Sequence, residues 1–428
     1  MKNYIRYYLK NLKNTMAEKE LKRSLGFWDV LMFGVGGIVG AGIYAIIGKA
    51  AGLSGNMLWL SFVIAATVAL LTGLSYAEFV SRYPDSGGSF EYMKQGLGKK
   101  TAFSMSIFIV FTGIVAAAAI AISFADYLSR LIDVPNWILV IGIILLMGVF
   151  NIIGAKYSSY FNAFATIVTL IGLAAVVVVS IPEFGTTPLL ETNDGEWTSL
   201  FAGGALIFFS YIGFEDLVKM AEETKNPKEN MPKAVIMSGL IVLLVYVLIA
   251  ISSVSVLDWK QLSNSNGPLA AVIEAKLGAW AATSLVIIAL FATSKTILSN
   301  ILGTSRLLYD VARDSDKSWL KKFTTISGIG NAPNYAIIAI SLVAIGFGLI
   351  GNLKVVASIS NIFIFVVFAM VNIALLNLRH KKRKEKDQKP PFYIKFNVKN
   401  IPIPTVLALI SILVLFGFNI YNLFQGNL

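Results

Sequence analysis

Phe33-Gly34-Val35-Gly36-Gly37-Ile38-Val39-Gly40-Ala41-Gly42-Ile43-Tyr44 holds five glycines in twelve residues of an otherwise apolar run. Each costs roughly 1 kcal/mol relative to alanine inside a helix, so something must offset such a density. Two readings fit. Small residues at every third or fourth position let helix backbones approach closely in a bilayer, or the helix is interrupted at membrane depth. A smaller glycine interruption, Phe208-Phe209-Ser210-Tyr211-Ile212-Gly213-Phe214-Glu215, lies in the sixth apolar run. The first and sixth runs correspond if the chain consists of two halves of five spans, and interrupted helices at matched positions of two halves point to a transporter binding site. Unwinding leaves free N–H groups on one half-helix and free C=O groups on the other. The N–H end attracts a carboxylate, and the carbonyls attract an ammonium or a metal cation. An α-amino acid carries both charges.

The surrounding sequence is that of a membrane protein. The 428 residues are 56% hydrophobic and 14% charged, with a mean hydropathy of +0.72. A soluble domain is nearer half apolar and a quarter charged. Because unpaired backbone groups cost several kcal/mol in hydrocarbon, the apolar runs must be helices or a closed barrel, and runs of ~20 residues without polar alternation are helices. About eleven spans are expected, near 27–48, 56–79, 101–129, 136–154, 159–181, 199–219, 233–256, 278–309, 335–351, 354–378 and 402–424. Thirty of the 36 Lys and Arg residues fall on the side of the amino terminus. The opposite side holds Lys49, Arg130, Lys260, Lys276 and Lys354, and Lys295 lies within a span. This bias predicts a multi-pass protein of the cell membrane with a cytoplasmic amino terminus. An odd number of spans then puts the carboxyl terminus outside. The expected divisions are a basic cytoplasmic arm (1–25), a first five-helix unit (26–181), an extracellular loop (182–198), a second five-helix unit (199–378), a basic cytoplasmic loop (379–401) and a last membrane helix (402–428). A cleavable signal is not expected, since no small-residue cleavage site precedes the first apolar run. The basic run Arg379 to Lys389 reads as a topology determinant, with anionic membrane lipid as a second reading.

Several functions are excluded by what the chain lacks. It has no cysteine and one histidine, His380 in the lysine-rich loop. Disulfides, a thiolate or histidine metal site and a cysteine nucleophile are therefore absent, and no cofactor is expected. An intramembrane hydrolase needs paired aspartates, a zinc-binding histidine pair or a serine with its base, so an enzyme is not expected. The chain has no P-loop for ATP-driven pumping and no repeated filter or charged ring for an ion channel. The net charge of +12 belongs to the cytoplasmic loops and does not indicate nucleic acid.

At these residues the chain resembles the amino acid, polyamine and organocation transporter superfamily, whose members share the leucine-transporter fold of two inverted five-helix repeats with broken helices 1 and 6. Val35 to Tyr44 resembles the first-helix glycine motif, and Phe208 to Glu215 the sixth-helix motif. Supporting pieces follow in order: Tyr76-Ala77-Glu78, Tyr83-Pro84-Asp85-Ser86-Gly87-Gly88-Ser89-Phe90, Asn151-Ile152-Ile153-Gly154-Ala155-Lys156, Glu222-Glu223-Thr224-Lys225-Asn226-Pro227 and Ser305-Arg306-Leu307-Leu308-Tyr309. The resemblance covers nearly the whole chain. It departs in having eleven spans where the family has twelve, and in Asp314-Ser315-Asp316-Lys317, where members often carry Asp-Gly. It implies a secondary active amino acid transporter working by alternating access. Amides near Gly40, Ala41 and Gly42 would receive the substrate carboxylate, and carbonyls near Ile38, Phe208 and Tyr211 would face its ammonium. Phe209, Tyr211 and Phe214 are candidates for the aromatic gate and side-chain wall, or plain packing residues. Glu215 would be a gating or pH-sensing carboxylate, or an acid facing an inner water cavity.

Coupling is read from a lysine. Some proton-coupled members carry one on the fifth helix, and counting 18 residues from Asn151 puts Thr169 at that position here. The eighth span instead holds Lys295, in Ala292-Thr293-Ser294-Lys295-Thr296. A lysine at the bilayer centre costs about 2.5–3.5 kcal/mol, so it should face a cavity or a partner. Three readings compete. The ammonium crosses to the carbonyls of Gly36 and Val39, and its protonation couples transport to H+. Alternatively, Thr293 and Ser294 join those carbonyls around Na+. The third is a structural lysine in an exchanger or facilitator of amino acids or polyamines. The lack of carboxylates aimed at a side chain, apart from Glu215 and the more peripheral Asp126, favours a neutral or broad amino acid substrate. Oligomeric state is not indicated.

Overall fold

The computed structural model describes residues 23–84, 88–193, 196–315, 317–326, 332–384 and 389–424, with the side chains of 155–159 and 383–384 left aside. Of the expected basic arm, residues 1–22 lie outside the described residues, as do Asp85, Ser86, Gly87 and Asp316 and, for its side chain, Lys156. The protein is an all-α integral membrane protein. Among the described residues nine segments are long and apolar enough to cross a bilayer, and two shorter apolar helices, Phe27–Ile38 and Asn334–Gly348, add to them. The first long segment, Ala41–Arg82, contains the expected second span and the carboxyl-terminal part of the first. A 3-10 turn at Gly55–Met57 joins the two.

In chain order the helices that matter here are α1 (Phe27–Ile38), α2 (Ala41–Ser54), α3 (Leu58–Arg82), α4 (Ser89–Leu97), α5 (Lys99–Leu128), α6 (Asn136–Ile153), α7 (Ala155–Ser180) and α8 (Thr198–Ile207). They continue with α9 (Phe214–Leu217), α10 (Pro227–Val256), α11 (Trp259–Asn264), α12 (Pro268–Leu277), α13 (Ala279–Arg313), α14 (Asn334–Gly348), α15 (Leu353–Lys384) and α16 (Ile403–Phe424). A two-residue hairpin, Asn397–Val398 against Ile401–Pro402, is the only sheet among the described residues.

Both glycine interruptions are breaks. α1 ends at Ile38, and Val39 (φ -73, ψ 83) and Gly40 (φ -126, ψ -146) leave helical geometry before α2 begins. In the sixth span α8 tightens into 3-10 helix over Phe208–Tyr211, Ile212 is extended, and Gly213 takes φ 127 before the four-residue α9. That φ is closed to L-residues with a Cβ. Glycine also permits contact at the breaks. A Cβ on Gly42 would lie 2.7 Å from Cα of Ser210, and one on Gly36 would lie 2.8 Å from Cγ2 of Thr166.

Two features tie the scaffold together at the end where α1 starts. Ser24 N (2.9 Å) and Leu25 N (3.0 Å) donate to the carbonyl of Glu223, and Lys225 N donates to Leu25 O (2.8 Å). This parallel bridge joins the chain just before α1 to the chain just after α9 and its 3-10 extension. The second feature is a polar stripe on α3. Thr72, Ser75, Glu78 and Ser81 recur at three-residue spacing, a row that winds around the helix, and all four are buried. Polar groups in apolar surroundings need partners, and each has one. Asn372 and Thr405 serve Thr72 and Ser75, and Phe392 N and the Lys228 carbonyl serve Ser81. The Glu78 carboxylate accepts Nε of Arg379 at 2.8 Å, its Nη2, and the Ile394 amide at 3.0 Å. Arg379 also lies 3.9 Å from the Tyr393 ring centroid. The segment from residue 389 to 402 is thereby strapped onto α3 and α15.

Candidate functional site

A cavity of about 230 Å³ lies between the two breaks. That is smaller than the roughly 300–1,000 Å³ of drug-sized sites, as suits a single small metabolite. From α1 and α2 it is lined by Gly36, Ile38, Gly40, Ala41 and Gly42, and from the sixth span by Phe209, Ser210, Gly213 and Glu215. Ile109, Ala116 and Ile120 of α5 with Ile364 and Val367 of α15 make an apolar wall, whereas Thr296, Ser299 and Asn300 of α13 make a polar one. It extends toward the end bearing Gly88, Ser89, Asp216 and Lys219. The Asp216 and Lys219 side chains pair at 2.5 Å and are 56% and 45% exposed, so this end is open to water. The opposite end is shut. There Tyr127 donates to the Tyr44 carbonyl (3.2 Å), and Tyr44 donates to the Thr169 carbonyl (3.0 Å).

The first turn of a helix has amides without intrahelical acceptors, and at α2 these are distributed unequally. Gly40 N donates to Ile38 O (2.8 Å), and Ala41 N donates to Oγ1 of Thr296 (3.2 Å). The amides of Gly42 and Ile43 have no acceptor among the described residues. On the carbonyl side, Tyr246 of α10 bridges the two breaks, its hydroxyl lying 3.0 Å from Ile38 O and 3.1 Å from Ser210 O. Its single proton is shared between them. Gly213 N donates to Oε2 of Glu215 at 2.8 Å, so this carboxylate folds back on the break beside it.

Lys295 reaches the first break from α13. Its Nζ donates to Gly36 O (3.2 Å), Val39 O (3.4 Å) and Oγ1 of Thr166 (2.9 Å). The Thr166 hydroxyl gives its own proton to Asn162 O (2.8 Å), which leaves its lone pairs for the ammonium. The side chain is 2% exposed, and three oxygens satisfy its three donors.

The other candidates are placed elsewhere. Thr169 donates to Ala165 O and does not touch Lys295; Thr166, one turn earlier on α7, does. Oγ1 of Thr293 is bonded within its own helix, to the carbonyls of Ala289 (2.7 Å) and Leu290 (3.1 Å). Ser294 is buried and does not line the cavity. Of the aromatic candidates only Phe209 lines the cavity. Phe208 packs on Phe365 at 4.6 Å, and Phe214 packs between Tyr76 and Phe368. Tyr211 faces Tyr246 and donates to Phe62 O. Thr166, Thr296, Ser210 and Tyr246 were not singled out in the sequence.

A family model described as amino acid permease matches residues 25–427. The chain belongs to the amino acid permease family. The permease is thus a multi-pass transporter of the amino acid, polyamine and organocation superfamily and not an enzyme. It is 26% identical to the branched-chain amino acid permease BcaP of Bacillus subtilis, over 94% of its own length and 89% of that protein's. It is 27% identical to cationic amino acid transporter 1 of Arabidopsis thaliana, covering 84% of this chain. It is 25% identical to cationic amino acid transporter 4 of Mus musculus, covering 87%. The permease spans 63% and 62% of the lengths of these last two.

Proposed function

We propose that this permease is a secondary active amino acid transporter of the cell membrane, working by alternating access with its amino terminus in the cytoplasm. The units 26–181 and 199–378 act as inverted repeats, the substrate sits in the cavity between their broken helices, and the cavity opens inward. The carboxylate is held by the bare amides at the start of α2, where the helix dipole favours negative charge. The ammonium faces carbonyls of the two breaks. Support rests above all on the meeting of both breaks at one cavity that opens at one end only.

Lys295 serves as the resident cation, and its protonation couples uptake to H+. Supporting this, its ammonium has three oxygen partners at the α1–α2 break. Against a sodium site, the Lys295 ammonium already sits on the Gly36 and Val39 carbonyls that would complete the oxygen shell, and a cation placed there would be repelled by it. The substrate is a neutral amino acid. The apolar wall favours an uncharged side chain, and the Glu215 and Asp216 carboxylates already have N–H partners. Similarity to a branched-chain permease agrees with that choice. A basic substrate is the second reading, because Glu215 lines the cavity and other relatives are cationic amino acid transporters.

The test is uptake into liposomes by wild type, Lys295→Ala and Lys295→Arg against pH and Na+, with a competition panel of all twenty amino acids. Proton coupling requires that Lys295→Ala abolish the pH dependence. An alanine variant that keeps it removes Lys295 from the mechanism, and saturable uptake that needs Na+ restores the sodium reading.

A further inference from the structure

Ser210 is 1% exposed, and its hydroxyl has no hydrogen-bond partner among the described residues. An unpartnered buried hydroxyl costs about 1–3 kcal/mol, and such a group in a native structure calls for an explanation. Local packing does not supply one, since serine commonly bonds back to a carbonyl of its own helix and this one does not. Its position is informative. Ser210 lines the cavity, at the sixth-span break. Its Oγ lies 3.3 Å from where a Cβ on residue 42 would stand, beside the first-turn amides of α2 that have no acceptor. The nearer amides are already used, Gly40 by Ile38 and Ala41 by Thr296. A buried donor with no acceptor therefore adjoins bare backbone donors at the positive end of a helix. Together they are complementary to an anion.

We infer that the Ser210 hydroxyl is a ligand of the substrate's α-carboxylate, sharing it with the Gly42 amide and so shifting the seat from Gly40 and Ala41 toward the sixth span. One χ1 step of a serine moves its oxygen between staggered positions, which brings the hydroxyl from its sealed position to a carboxylate arriving at Gly42. The pairing also accounts for glycine at position 42, because any Cβ there would press on Ser210 Cα at 2.7 Å. A carboxylate seated this way is gripped from both broken helices at once. This inference rests on the break-site reading proposed above.

The experiment compares Ser210→Ala and Gly42→Ala with wild type in liposomes. Uptake kinetics are read with the strongest competitor from the panel, which is L-leucine on the apolar-wall reading, and thermal stability is read in detergent. Ser210→Ala is expected to raise KM about ten- to a hundredfold, the effect of one hydrogen bond to a charged group. Its stability should be unchanged or higher, since the hydroxyl has no protein partner to lose. Gly42→Ala is expected to abolish uptake. If Gly42→Ala abolishes uptake while Ser210→Ala keeps the wild-type KM, the serine assignment is overturned and the break site stands. If neither variant is affected, both fall. A raised KM for Ser210→Ala beside an active Gly42→Ala overturns the shared seat.

Discussion

Removing Arg379 should destabilise this permease more than removing Arg379 and Glu78 together. The Glu78 carboxylate receives three N–H groups, two of them from Arg379 and the third from Ile394. Both side chains are almost wholly buried, at 2% and 1% exposure. Arg379→Met leaves a buried carboxylate with one donor of three, and breaking a buried pair from one side costs about 3–5 kcal/mol. Glu78→Leu with Arg379→Met removes both charges. The Ile394 carbonyl loses its Arg379 donor in either variant, so beyond that shared loss the double variant gives up only the bond from the Ile394 amide, about 1–3 kcal/mol, and escapes the unpaired carboxylate. The expected order is wild type, then double variant, then Arg379→Met, with a coupling energy of about 2 kcal/mol or more between the sites. Equilibrium unfolding in mixed micelles of wild type, Arg379→Met, Glu78→Leu and the double variant reads the cycle. Additive effects, or a loss below about 1 kcal/mol for Arg379→Met, would refute the view that the strap is latched by this pair.

Three further outcomes are expected. Gly36→Ala should slow uptake, because its Cβ would meet Cγ2 of Thr166 at 2.8 Å; Thr166→Ser removes that methyl, keeps the Lys295 partner, and should restore the rate in the double variant. Tyr246→Phe deletes the hydroxyl shared by Ile38 O and Ser210 O. It should lower stability by about 1–3 kcal/mol and reduce transport, as read by thermal unfolding and initial uptake rates. Gly213→Ala forces a Cβ onto φ 127, which costs about 1–3 kcal/mol and should cut uptake more than the same change at Gly142 of α6, where a Cβ meets nothing within 4 Å.

The breaks were legible because they are local. Five glycines around residue 38 and a glycine after Ile212 act through backbone freedom, which needs no knowledge of neighbours. Lys295 was legible for a related reason, since a charge inside an apolar run demands a partner wherever it lies. The partners themselves were less so. The carbonyls of Gly36 and Val39 followed from a resemblance, whereas Thr166 was not named at all; the residue counted out on that helix was Thr169, where some proton-coupled relatives carry their lysine. Counting along a chain fixes neither the rotation of α7 nor its height relative to α13. Tyr246 and Thr296 are single polar residues in apolar helices, and only tertiary packing reveals that both turn toward the breaks. Likewise the aromatic run Phe208 to Phe214 gives no sign that Phe209 alone meets the cavity, because 3-10 turns and an extended residue scramble its angular order.

The backbone bridge between Leu25 and Thr224 has a mechanical consequence. It yokes the start of α1 to the end of the α9 extension, so neither half-helix can tilt without dragging the other. Any displacement of Ser24 and Leu25 is therefore delivered to both broken spans at the same moment.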